Sequence, residues 1–164
     1  MIRFTKGNIL KADVEALVNT VNTVGVMGKG IALAFKKAFP LNYKLYKEAC
    51  DNKEFTVGTM FTTNTGQLMP KFIINFPTKE HWKGRSKIDF VKSGMKELVE
   101  TIKTNEIKSI AIPPLGCGNG GLNWNEVKPI IINELQNIND DIEVVIYEPG
   151  FNNQTVPVKK EIAV

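Results

Sequence analysis

Lys79 stands just past the apolar run Phe72-Ile73-Ile74-Asn75-Phe76, behind Pro77 and Thr78. A lysine at the end of a buried strand can be aimed into a crevice, where burial and the neighbouring Lys83 or Arg85 would lower its pKa and leave a neutral, nucleophilic fraction. It can equally stay charged and protonate a leaving group. The segment that carries it, "NFPTKEHWKGRSK" from Asn75 to Lys87, sets four cations and His81 against one carboxylate, with Phe76 and Trp82 interleaved. His81, Trp82, Lys83 and Arg85 are therefore candidates for contact with nucleic acid, cations on phosphates and the indole on a base. The same composition also suits a solvated loop, in which Lys79 would be an ordinary surface cation.

Two further stretches have the composition of anion-binding loops. "NTVNTVGVMGKGIALAFKKAF" places Gly25, Gly28 and Gly30 between a buried strand and a helical pattern. Glycine lets backbone N–H groups approach an anion, and a helix N-terminus adds a favourable dipole. The stretch is not a Walker A loop, because Gly30 follows Lys29 where Ser or Thr is needed, and Leu33 breaks the dinucleotide fingerprint. "PPLGCGNGGLNW", Pro113 to Trp124, has four glycines in six positions. Two such loops in one small domain suggest a diphosphate gripped from both sides. Cys117 in the second loop has no histidine nearby in sequence to activate it and reads as an inert filler.

Composition narrows the remaining classes. With 164 residues the chain has the length of one domain with a sizeable core. Its 43% hydrophobic and 23% charged residues argue against disorder and against a membrane protein. No apolar run reaches the roughly 18 residues of a membrane span, and the first residues lack a signal peptide's apolar core. A cytoplasmic location is expected. One histidine and two cysteines make a zinc site or a disulfide framework improbable, so neither metal nor cofactor is expected. A net charge of +4 permits a phosphate-rich partner without requiring one.

The elements that must position these loops alternate along the chain. Strands are expected at Ile2 to Lys6, over "EALVNTV", near Gly58 to Asn64, at Phe72 to Phe76, over "SIAIPPL" and over "IEVVIYEP". Helical patterns cover "GIALAFKKAF" up to a break at Pro40, Asn42 to Asp51, Lys87 to Lys103, and "WNEVKPIIINELQNI" with Pro129 near its first turn. Strands alternating with helices predict an α/β fold with helices on both faces of a largely parallel sheet. Ligands of such sheets sit beyond the carboxyl ends of the strands, where all three loops fall. Residues 1–150 are expected to form the domain, and 151–164, polar and unpatterned, a tail or the start of a linker.

With "GNILKADVEALVNTVN" at one end and "VVIYEP" at the other, the combination of loops resembles a macrodomain over nearly the whole chain. This is the three-layer α/β/α fold with a central mixed, largely parallel sheet that binds ADP-ribose. Within the family the chain is most similar to the DarG type, the antitoxin glycohydrolases that remove ADP-ribose from thymidine in DNA. The resemblance implies that ADP-ribosylated single-stranded DNA is the substrate and ADP-ribose the product. A DarT-type toxin is the implied partner, contacted through a region outside these 164 residues.

It also implies roles for individual residues. Asn8 stands where many macrodomains carry an Asp that accepts from the adenine amino group, and Ile9 would offer backbone beside the same ring. Tyr147 is placed like the adenine-stacking aromatic, or is a plain core tyrosine. Asn22 matches the asparagine that holds the distal ribose and orients it for catalysis. Gly28, Lys29 and Gly30 match one side of the diphosphate site, and Gly116, Cys117, Gly118, Asn119 and Gly120 the other. Lys79 matches a catalytic lysine. Relatives that act on protein glutamate pair that lysine with an Asp in the second glycine loop, where this chain has Gly120. The alternatives are a module that binds ADP-ribose without cutting it, and a hydrolase acting on ADP-ribosylated protein or O-acetyl-ADP-ribose.

Overall fold

The computed structural model describes residues 1–149. Six strands form one sheet: β1 (Ile2–Thr5), β2 (Ala16–Val21), β3 (Phe61–Asn64), β4 (Phe72–Pro77), β5 (Ser109–Ile112) and β6 (Glu143–Tyr147). Their order is β1-β6-β5-β2-β4-β3, and every neighbouring pair is parallel except β3 with β4. The helices are α1 (Gly30–Ala38), α2 (Pro40–Asp51), α3 (Ile88–Thr104) and α4 (Trp124–Leu135), with a 3-10 turn over Ile9–Lys11.

The strands bury both faces, as expected for parallel strands covered by helices. Ala16 and Val18, Ile74 and Phe76, and Val144 and Ile146 point toward α3 and α4, joining Met95, Leu98, Val127 and Ile131. Their alternates Leu17, Ile73, Val145 and Tyr147 point the other way, against Phe35 of α1. Beside that cluster, Tyr46, Ala49 and Cys50 of α2 pack on Val21 and Met27. The result is three layers, α/β/α. One contact is close enough to fix a residue type: a side chain at Gly94 in α3 would overlap the ring of Phe76.

Element limits differ from the sequence pattern by a few residues, β5 stopping at Ile112 and α4 at Leu135, and prolines and a glycine explain other departures. Pro40 does not simply end a helix; it occupies the first turn of α2, where its missing N–H costs nothing, so that helix starts two residues before Asn42. Pro129 lies inside α4, just past the first turn near which it is expected, where it has no N–H to give to the carbonyl of Asn125. The strand expected from Gly58 begins at Phe61, since Gly58 has a positive φ of 85° that interrupts extended backbone. The tail expected over 151–164 lies outside the described residues.

β5, β2 and β4 are adjacent and parallel, so their carboxyl ends meet on one edge of the sheet. From β2 leaves the first glycine loop, from β5 the second, and from β4 the segment with Lys79. The end of β6 brings Tyr147 alongside.

Candidate functional site

The first loop is held from below. Gly25 adopts φ +88°, which the turn requires, and its carbonyl accepts from the Tyr43 hydroxyl at 3.3 Å. Met27 is buried beside Tyr46 and anchors the loop, leaving Gly28 and Lys29 exposed. Asn22 does most of the fastening. Its side-chain oxygen accepts from the Val24 and Val26 N–H groups at 3.1 and 3.3 Å and lies 2.9 Å from the Tyr46 hydroxyl. Its amide donates to the Val26 carbonyl at 2.7 Å. Asn22, expected to hold a ribose, is thus first a clasp for its own loop, and one amide hydrogen is left for a ligand. Burial keeps the Tyr46 hydroxyl well above its ordinary pKa range, so it stays a neutral donor.

The three loops are stitched together beyond the strands. The Thr78 N–H donates to the Val21 carbonyl at 3.0 Å, and Thr23 donates to the Glu80 carbonyl through its N–H and its hydroxyl at 3.2 and 3.0 Å. On the other side, the Ser86 N–H donates to the Gly120 carbonyl at 3.1 Å and Arg85 to the Gly121 carbonyl at 3.2 Å. Lys79 Nζ donates to the Asn119 carbonyl at 3.3 Å. The segment from β4 therefore lies between the two glycine loops and ties each in place.

Between the loops runs a furrow made of two adjoining cavities of about 420 and 840 Å³ that share Gly30, Ile31, Pro114 and Gly118. The smaller is lined by Asn8, Ile9, Phe35, Tyr147 and Glu148. Asn8 caps the 3-10 turn, its oxygen accepting from the Leu10 N–H at 3.0 Å, which leaves that oxygen one further lone pair. Tyr147 is only 2% exposed; it is a core residue of the α1 layer and presents part of its surface to the cavity. Its burial is that of a core tyrosine, at a place where it also lines the cavity. Glu148 at the rim accepts from Trp124 Nε1 at 3.1 Å and Lys128 at 3.3 Å, and the Trp124 bond, ahead of Lys128 and Lys6, holds its pKa below the usual range.

The larger cavity holds the candidate chemistry. Lys29, Lys79, Lys83 and Arg85 line it together with Asn22, and among the described residues no carboxylate does. The Lys79 amine is pushed below its ordinary pKa, first by burial and then by the charge of Lys29. The neighbours expected to do this, Lys83 and Arg85, are not the cause: Arg85 turns to the Gly121 carbonyl, and Lys83 lies 5.1 Å over the ring of Trp82. Lys29 therefore does face the site. His81 does not line either cavity; its Nδ1 accepts from the Lys83 N–H at 3.1 Å and shapes the turn. Trp82 lines the cavity and is nearly half exposed.

Gly118, Asn119 and Gly120 line the same furrow from the second glycine loop, and Asn119 Nδ2 comes within 3.1 Å of where a side chain on Gly30 would begin. Gly30 has φ +55° and opens α1, whose first turn has no side-chain cap and begins beside the furrow that Gly30 and Ile31 line. Cys117 lines neither cavity, and burial pushes its thiol up to about 11, the value of an inert residue. At Gly120 a side chain would overlap Ser86 Oγ and come within 2.5 Å of the Gly116 carbonyl. There is no room for an Asp at this position. No group of three His, Cys, Asp or Glu among the described residues is placed to hold a metal ion.

The family model of the macro domain matches residues 18–131. The chain belongs to the macro domain family. Within that family it is similar to the macrodomain of Mycobacterium tuberculosis DarG, with 50% identity, a TM-score of 0.89, and coverage of 92% of this chain and 99% of that one. The solved DarTG of Thermosipho africanus in complex with ADP-ribose gives 37% identity and a TM-score of 0.84 over 91% of this chain and 42% of that chain. A Thermus aquaticus protein named DNA ADP-ribosyl glycohydrolase is 51% identical over 163 residues, 97% of this chain and 45% of its own length. The macrodomain thus spans about half the length of the curated relatives it matches.

Sequence reasoning missed a buried amide cluster behind the site. Asn75 of β4 and Asn42 of α2 exchange bonds at 2.9 and 3.2 Å, Asn75 also donates to the Phe61 carbonyl at 2.9 Å, and Thr63 donates to Asn42 at 2.7 Å. Asn19 of β2 reaches Asn75 at 3.4 Å. An asparagine in the middle of each of two apolar strand runs was the available signal. The cluster bolts α2 to the strands that carry Asn22 and Lys79.

Proposed function

We propose that this macrodomain is a glycohydrolase that removes ADP-ribose from thymidine in ADP-ribosylated single-stranded DNA, reversing a modification made by a DarT-type partner. The observation that carries the reading is Lys79: a partly buried amine of lowered pKa, bonded to the second glycine loop, in a cavity lined, among the described residues, by four cations and no carboxylate. Most glycosidases need a carboxylate pair for an oxocarbenium-like transition state, and this site offers a lysine instead. The adenosine end of the ligand fits the smaller cavity, with Asn8 and Tyr147. The diphosphate fits between the uncapped first turn of α1 and the backbone of Gly116 to Gly120. The distal ribose then falls in the larger cavity, near the remaining amide hydrogen of Asn22 and the amine of Lys79.

In the net reaction the bond between ribose C1'' and a thymine ring nitrogen breaks, water supplies hydroxide to C1'', and the ring nitrogen takes the proton. Lys79 acts either as the amine that attacks C1'' before water or as the ammonium that protonates the departing base. The relatives named DNA ADP-ribosyl glycohydrolase, and the fusion protein joining that activity to a DNA ADP-ribosyl transferase, support this substrate and this partner. The test is release of ADP-ribose from an oligonucleotide bearing ADP-ribosylated thymidine. The native protein should release it, and Lys79→Ala should lower the rate by about 100-fold or more. No release by the native protein would leave a binding module in place of an enzyme.

A further inference from the structure

Two bulky apolar side chains stand in water at the mouth of the larger cavity, from two different loops. Val26 is 38% exposed and Trp82 46%, and both line the cavity beside Lys79. Neither has been left outside by slack in the chain. The backbone N–H and carbonyl of Val26 are both bonded to the Asn22 side chain, while Met27 next to it is driven into the core. Trp82 sits in a turn closed by the Gly84 N–H on the His81 carbonyl at 2.9 Å and the Lys83 N–H on His81 Nδ1. The bonds from Thr23 to Glu80 then lock the two loops to each other. Rigid turns that hold an aliphatic and an aromatic side chain outward at a cavity mouth make a recognition surface, since nothing in the core is gained by them.

We propose that Val26 and Trp82 form the slot for the leaving base and so select a neutral pyrimidine ring as the group released. The inference rests on the glycohydrolase reading above. A flat ring gains contact with the exposed part of the indole and the branched aliphatic together, whereas an acetate or a glutamate side chain offers neither surface. Lys83, 5.1 Å over the ring of Trp82, and the absence of any carboxylate among the described residues lining the cavity suit the phosphodiester that accompanies such a base. Asn22 gains a second role from this arrangement, because by clasping Val26 it positions one jaw of the slot.

The experiment compares kcat/KM on the ADP-ribosylated thymidine oligonucleotide with the affinity for free ADP-ribose, which has no base to place in the slot. Trp82→Ala should lower kcat/KM by about 5- to 150-fold, the range for loss of one stacked base. Val26→Ala, which removes two methyl groups, should lower it by about 3- to 15-fold. Trp82→Phe and Val26→Ile should keep most of the rate, and the affinity for ADP-ribose should stay within about twofold in all four variants. Unchanged kcat/KM in both alanine variants would overturn the slot, and so would a loss matched by an equal loss of ADP-ribose affinity. Inactivity of the native protein would instead remove the reading on which the slot rests, so the two failures are distinguishable.

Discussion

Gly120→Ala tests whether the second glycine loop is shaped by the packing seen around it. The new Cβ would overlap Ser86 Oγ, approach Ser86 Cβ at 2.8 Å and meet the Gly116 carbonyl oxygen at 2.5 Å, about 0.9 Å inside ordinary contact. Ser86 can turn its hydroxyl away, but the Gly116 carbonyl is backbone and already accepts from the Leu122 N–H at 2.9 Å. Overpacking of this kind costs about 1–3 kcal/mol. If the loop stays in place the strain appears as stability, a fall in Tm of about 2–12 °C for a chain of this size. If the loop yields, it moves off the proposed diphosphate site and ADP-ribose affinity falls instead, by about 5- to 150-fold for the same free energy. Thermal unfolding and calorimetric titration with ADP-ribose read the two channels together. Gly118→Ala is the control, because a Cβ there meets nothing within 4 Å; its Tm should match the native protein. Ser86→Gly combined with Gly120→Ala should restore part of the loss, leaving the carbonyl contact. Native Tm and native affinity in Gly120→Ala would refute the reasoning, as would an equal fall in Tm for Gly118→Ala.

Two other outcomes follow from the site. Lys29→Met removes the charge that, after burial, lowers the Lys79 pKa, so the Lys79-dependent step in the pH–rate profile should move to higher pH. A rate rising through that step identifies the amine as the reacting form and a falling rate the ammonium; a step that stays in place means Lys29 does not act on Lys79. In the amide cluster, Asn42→Ala and Asn75→Ala should each destabilise by about 1–3 kcal/mol by stranding a buried partner. The double variant should lose less than the two together, and strict additivity in denaturant unfolding would show that the pair is not coupled.

Much of the layered fold was legible because it depends on local pattern. Apolar runs of strand length, helical spacing in "FVKSGMKELVETI" and the turn residues between them are each written in consecutive residues, and they suffice for three layers. The helices whose limits depart from that pattern are those where one proline has two uses or an unexpected place. Pro40 both ends α1 and opens α2, and Pro129 is tolerated inside α4. Likewise, the loops declared themselves by composition, and Lys79 by its place at a strand end.

The sequence by itself determined which residues could do chemistry: two glycine loops, a lysine after a strand, and cations with few acids among them. It also carried the family, because those motifs occur together and in order. What only the tertiary structure decided is how each side chain is engaged. Asn22 is occupied with Val24, Val26 and Tyr46, Arg85 with Gly121, and His81 with the Lys83 amide, while Lys29 and not Lys83 bears on Lys79. Nothing in residue type sets Val26 apart from other valines; its exposure at the cavity mouth does. The physical reason is that residue type and spacing fix what a group can offer, whereas hydrogen-bond partners and charge neighbours come from loops that meet only where β5, β2 and β4 end side by side.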